Sequence, residues 1–123
     1  MEHPPISEIK DFVEAAILAM KPGGFCVNLI DLEDHQNNIR NPFGFLSADI
    51  PWREKDSVLR GNRLRFSSWK KILRKHTNID WRFPYVAVRN DAPLPDSIDG
   101  RIEYENEQDL RTTAFVVVGK RLS

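Results

Sequence analysis

The sequence holds one cysteine, Cys26, so neither an intrachain disulfide nor a cysteine-rich zinc site can be built, a usage that fits a reducing cytosol. Cys26 stands in an apolar run with no neighbouring cation or helix start to stabilise a thiolate. It reads as a small buried hydrophobe rather than a reactive thiol. No stretch approaches the roughly 18 apolar residues needed to cross a bilayer, and no basic segment followed by an apolar core opens the chain. The expectation is a soluble, cytoplasmic protein with no membrane partner. Excess charge of either sign is also missing, because 18 Lys and Arg offset 18 Asp and Glu. Global electrostatics therefore favours neither nucleic acid nor an anionic surface. The six glycines are dispersed, and no Gly-x-Gly-x-x-Gly string precedes a helix, so the common phosphate-cradling turn is absent from the sequence.

What is present suffices for one core. At 123 residues and 41% apolar content, the chain asks for no second domain. Ser7 can cap a helix over residues 7 to 20, in which Ile9, Phe12, Val13, Ala16, Ile17 and Met20 recur at helical spacing. Lys21-Pro22-Gly23-Gly24 stops it. Residues 25 to 32 are nearly continuously apolar, the pattern of a strand covered on both faces. From Glu33 to Gly61 the period is lost, while Phe43, Phe45, Leu46 and Trp52 are scattered among breakers, which predicts a long loop lying over something. A second helix opens at Ser67 or Ser68, carries Trp69, Ile72 and Leu73, and runs to about residue 76. Residues 79 to 88 read as a strand in which Pro84 demands an edge position or a bulge. A turn-rich loop over 92 to 100 and an acidic stretch follow, and residues 112 to 120 form a β-branched last strand.

Several strings stand out in this order. They are Met1-Glu2-His3, Lys21-Pro22-Gly23-Gly24, Ile30-Asp31-Leu32-Glu33-Asp34-His35, Asn62-Arg63-Leu64-Arg65 and Asp109-Leu110-Arg111-Thr112-Thr113. In these strings and in its order of elements the chain resembles the C-terminal half of the class I, Rossmann-like S-adenosylmethionine-dependent methyltransferases. Pro4-Pro5 after the histidine and Met1 in place of a usual leucine are departures. The resemblance implies an α/β fold, a partial methyltransferase sheet of three strands with the last one antiparallel and central, and flanking helices. It also implies that residues 1–123 are one unit, the C-terminal portion of a domain without its cofactor-binding half. The family grips S-adenosyl-L-methionine with a glycine-rich turn after its first strand and an acidic residue ending the second, and neither can be placed here. The expectation is an isolated chain that binds no cofactor and is inactive, from an enzyme that methylates a small-molecule acceptor. Glu2 and His3 are weak cofactor-side candidates of a complete enzyme, and disordered at a free chain end.

The residues that could carry chemistry cluster at the end of the first strand. Asp31, Glu33, Asp34 and His35 could act as acid and base or hold a divalent metal. The alternative is structural, with Asp34 capping the following turn and His35 packed under the aromatic loop. His3 and His76 are too remote in sequence to join them. Asn62 and Arg63 could line an acceptor site with Asp34 and His35, since arginine clamps carboxylate or phosphate in bidentate fashion. Equally, Arg63 and Arg65 could pair with Asp31 or Glu33 and pin the long loop. The run Arg60, Arg63, Arg65, Lys70, Lys71, Arg74 and Lys75 around Trp69 invites a nucleic-acid reading. Trp69, however, shares the apolar face with Leu73, which assigns it to the core and the lysines to solvent. A non-catalytic interaction module is the main alternative to the enzyme. In either case an unpaired edge at 25–32, or the helix at 8–20, predicts a homodimer.

Overall fold

A computed structural model describes residues 2–122; Met1 and Ser123 lie outside the described residues. The chain is α/β. Helix α1 (Ile6–Leu18) is followed by strand β1 (Phe25–Asp31), a long segment containing the four-residue helix α2 (Ser57–Arg60), helix α3 (Phe66–Arg74), strand β2 (Ile79–Val88), the short helix α4 (Glu107–Arg111) and strand β3 (Thr112–Arg121). The sheet order is β1-β3-β2, with β3 antiparallel to both neighbours. The two outer strands therefore run in the same direction. Phe25 faces Lys120 and Asp31 faces Ala114 across one ladder. In the other ladder the register shifts between Arg82 and Tyr85, and Pro84 sits in that irregularity, where a missing amide donor is tolerated.

Both long helices cover the same face of the sheet. Ile9, Val13 and Ile17 of α1 and Trp69 and Leu73 of α3 bury against Ile30, Phe115, Val117 and Ile79. At about 25 cal/mol per Å² of apolar area, this layer is the main favourable contribution to folding. Gly119 is where Trp81 crosses the sheet, since a Cβ there would stand 2.6 Å from the indole. The reversal between α1 and β1 rests on Gly23, whose φ of 77° suits glycine. It is clamped by Gly23 N–H donating to Arg121 C=O and Arg121 N–H donating to Gly24 C=O.

The other face of the sheet is open. Phe25, Val27 and Leu29 alternate with covered neighbours and are 60–69% exposed. The expectation that this strand is covered on both faces is thus corrected, because α1 and α3 lie on one side and no described element lies on the other. Two helix details also change. Ser7 does not cap α1, which starts at Ile6 after Pro5, and the Ser7 hydroxyl donates to Glu54 instead. Phe12, assigned to the apolar stripe, is 45% exposed. Helix α3 starts a residue early, with Ser67 and Ser68 inside it. The free amide of Ser67 is satisfied from afar, by the Asp109 carboxylate at 3.0 Å.

The long aromatic segment covers another irregular segment. Phe43, Phe45, Leu46 and Trp52 form a second small core with Ala92 and Leu110, and Leu94, Ile98 and Ile102 pack around it. Ser47 bridges Ile98 in β fashion, and Ala48 N–H donates to Ser97 C=O.

Candidate functional site

The end of β1 points into a junction of charged side chains supported by both irregular segments. Asp34 is buried, and its carboxylate takes the Arg60 guanidinium, with Nη2 to Oδ2 at 2.6 Å and Nε within 3.3 Å of both oxygens. This hydrogen bond raises the Arg60 pKa against the opposing effect of burial. Asp34 also accepts from Gln36 N–H, as a turn-capping aspartate does. Its own amide donates to Pro42 C=O. Both ends of Asp34 are therefore spent holding the loop.

Arg63 turns the other way. It has a positive φ of 66°, an uncommon conformation for a non-glycine residue, and it sends its guanidinium under Trp52, 4.3 Å from the ring centroid. There it donates to Phe45 C=O and to Asp99. Burial lowers its pKa and Asp99 opposes that effect. Asp99 also receives Arg101, with a shortest contact of 2.7 Å. Held first by Arg101 and then by Arg63, its carboxyl lies well below the usual range despite burial. Arg65 is fully buried and pairs with no carboxylate, donating to the main-chain carbonyls of Arg63, Leu110 and Leu32. Burial holds it at about 10, still cationic at neutral pH. The expected pairing of these arginines with Asp31 or Glu33 is therefore corrected. Glu33 receives Arg89 instead, while Arg63 pairs with Asp99 and Arg65 spends its donors on main-chain carbonyls.

Asn62 ties the start of the chain to this junction. Its main-chain N–H donates to Glu2 C=O at 2.6 Å, and its side-chain amide to Pro4 C=O at 3.2 Å. Glu2 and His3 are consequently placed, correcting the expectation of a disordered start. His3 donates from Nδ1 to Val58 C=O at 2.9 Å. Its ring meets that of His35 edge-on, with centroids 4.6 Å apart and planes at 88°. His35 is fixed by its main-chain N–H on Arg60 C=O and by Gly61, whose φ of 93° brings bare backbone close to the imidazole. Its Nε2 is buried without a hydrogen-bond partner and lies 4.0 Å from Asp31 Oδ2. Leaving such a nitrogen unmatched costs about 1–3 kcal/mol. His35 thus meets His3 rather than packing under the aromatic segment.

Of the four predicted site residues, the backbone brings all to the end of β1, but their functional groups diverge. Asp34 and Arg63 are consumed by Arg60 and Asp99, Asn62 holds the chain start, and His35 keeps an unused nitrogen. Sequence separation hid His3 as the partner of His35, and no local signal marks Asp99. An open cleft of about 760 Å³ lies beside this junction, between α3 and the segment around Ile102. Trp52, Leu64 and Ile72 form part of its wall, and Lys71, Arg74 and Lys75 give it a basic rim. No helix among the described residues is long and apolar enough to cross a membrane. Comparison with protein-family models, curated proteins and solved structures finds no match to this chain.

Proposed function

We propose that these residues form the acceptor-side half of a class I S-adenosylmethionine-dependent methyltransferase domain, with a small-molecule acceptor. The observation that carries this reading is the position of β3. The last strand of the chain lies between β1 and β2 and runs against both, the arrangement that the order of motifs implies before any coordinates are considered. The open apolar face and the outer edge of β1 give the reading further support, since a second half of the sheet and its helices would cover both.

The residues described do not fit S-adenosylmethionine themselves. The positive-φ glycines, Gly23 and Gly61, stand between α1 and β1 and after α2, and neither forms the strand-to-helix turn that cradles such a ligand. β1 leads into irregular chain, where a helix start would be needed. The cofactor would be held by residues other than these. What this chain supplies is the braced end of β1, with His35 and His3 facing one another and Asp34 and Arg63 locking the loops around them.

The test is to read the coding sequence upstream of residue 1 and express the joined protein. A glycine-rich turn about a hundred residues earlier, with calorimetric binding of S-adenosylmethionine at about 100 μM or tighter, is the expected result. A joined protein without that turn, or one that fails to bind, overturns the reading. A non-catalytic interaction module is then favoured, for which the exposed Phe25, Val27 and Leu29 are the supporting observation.

A further inference from the structure

We propose that Glu2, His3 and His35 bind a divalent transition-metal ion, zinc being the best fit, in a three-ligand site with its fourth position open. The inference does not depend on methyl transfer. Each of the three residues offers one ligand atom, and these atoms all lie within 4.8 Å of one another. Zinc bonds nitrogen and oxygen at about 2.0–2.2 Å in a tetrahedron, which sets the ligand atoms about 3.5 Å apart. Movements on the order of 1 Å would bring the ligand atoms to that spacing.

Tautomer chemistry favours a metal here. A carbonyl oxygen only accepts, so the contact of His3 Nδ1 with Val58 C=O puts the proton on Nδ1 and leaves Nε2 with its lone pair. A second hydrogen bond of this kind is the usual outer support of a metal-binding histidine. His35 presents a buried Nε2 that no protein group satisfies. A proton between the rings would join the two nitrogens alone, whereas a metal ion would take both together with the Glu2 carboxylate. Asp31 Oδ2 stands 4.0 Å from His35 Nε2, so a further carboxylate flanks the histidine pair. Mixed nitrogen and oxygen donors select zinc and its neighbours over calcium or magnesium, which take oxygen.

The support for the site is built from sequence-distant backbone. Asn62 holds the main chain of Glu2 and Pro4, while Arg60 C=O holds His35 N–H. Residues 60 to 62 therefore clamp both histidine-bearing segments. The metal would close the start of the chain onto the end of β1, and its fourth position would take water or a ligand oxygen.

The test uses the untagged full chain, stripped of metal and titrated with zinc chloride in a calorimeter and with cobalt chloride in a spectrophotometer. Expected are one ion per chain, a dissociation constant of about 10 μM or tighter, and the intense visible bands of tetrahedral cobalt. His3→Ala and His35→Ala should each weaken binding more than about 100-fold, since removal of a ligand's supporting partner alone costs about 10- to 100-fold, while His76→Ala leaves it unchanged. Nitrogen-15 spectra of the unsubstituted chain give a readout free of folding effects. Zinc should move the Nε2 resonances of His3 and His35 and spare His76. Binding weaker than about 100 μM, octahedral cobalt spectra, or Nε2 resonances that stay put overturn the proposal.

Discussion

The Arg65 guanidinium, without exposed surface, donates to the main-chain carbonyl of Leu32 at 2.8 Å. The same group reaches Leu110 C=O and Arg63 C=O, so the end of β1, the start of α3 and α4 converge on one planar fork. Replacing it by methionine leaves three carbonyls without their donor in a dry site. We expect Arg65→Met to lower unfolding free energy by about 3 kcal/mol. Arg65→Lys should rescue less than half, because one ammonium cannot serve the directions of the fork. Urea denaturation monitored by tryptophan fluorescence measures both, and a loss below about 1 kcal/mol would show the carbonyls finding other donors.

Asp109 is the acidic counterpart at the same junction. It accepts from Ser67 N–H at 3.0 Å, from the Ser67 hydroxyl at 2.5 Å and from Glu105 N–H at 3.0 Å. It therefore caps α3 from outside the helix. Asp109→Ala should cost about 2–4 kcal/mol, and Ser67→Ala about 1 kcal/mol, since the amide bond survives it. Hydrogen exchange should show the first turn of α3 losing protection in Asp109→Ala only.

Asp99 predicts an acid limb of stability. Its carboxyl is lowered by Arg101 first and by Arg63 as well, so the folded state holds the ionised form more strongly than the unfolded chain does. The resulting stability is fully present above the unfolded aspartate value of about 3.9, and is lost progressively as pH falls below it. Asp99→Asn should be less stable than the parent at pH 7 and should show a flatter dependence between about pH 4 and pH 2. Parallel curves for the two proteins would remove Asp99 from the acid transition.

The isolated chain should not bind S-adenosylmethionine. Among the described residues no glycine-rich turn joins a strand to a helix, and the sequence offers no counterpart of the family's ribose-binding carboxylate, so calorimetry should show no binding at about 100 μM or tighter. Binding at that level would mean that the residues described grip the cofactor in a way unlike the dinucleotide-binding sheets.

The strings that stand out in the sequence share a physical reason for doing so. Ile30 to His35, Asn62 to Arg65 and Asp109 to Thr113 come together through Arg65, whose partners are Leu32 and Leu110. The strand bounds at residues 79 to 88, the irregularity at Pro84 and the burial of Trp69 were legible because each rests on a local rule, either alternation, a missing amide or helical spacing. The open face of β1 was not, since an apolar run records what the strand is suited to pack against, and this chain covers only one side. Nor were the Arg63–Asp99 pair and the meeting of His3 with His35 legible. Both depend on how irregular segments fold across one another, for which neither period nor composition carries a signal. Ser7 illustrates the reverse error, a good capping residue that falls inside the helix because α1 starts at Ile6, directly after Pro5.

The open face leads to the last prediction, self-association. β1 pairs only with β3 among the described strands, so its outer edge offers amides and carbonyls to a further strand. It contains neither lysine nor proline, the residues that ordinarily discourage such pairing. Phe25, Val27 and Leu29 expose 60–69% of their surfaces on one side of it, an apolar patch that water disfavours. A two-fold axis could join two edges as antiparallel strands, which satisfies the free amides and carbonyls, or pack two open faces, which buries these three side chains. Light scattering coupled to size exclusion should give twice the chain mass of 14.3 kDa. Val27→Lys, which puts a charge in the middle of the patch, should return the mass to that of one chain without loss of helical circular dichroism. A single-chain mass for the parent over a hundredfold range of concentration would end the proposal. A dimer untouched by Val27→Lys would move the interface away from β1, to the exposed side of α1 where Phe12 stands.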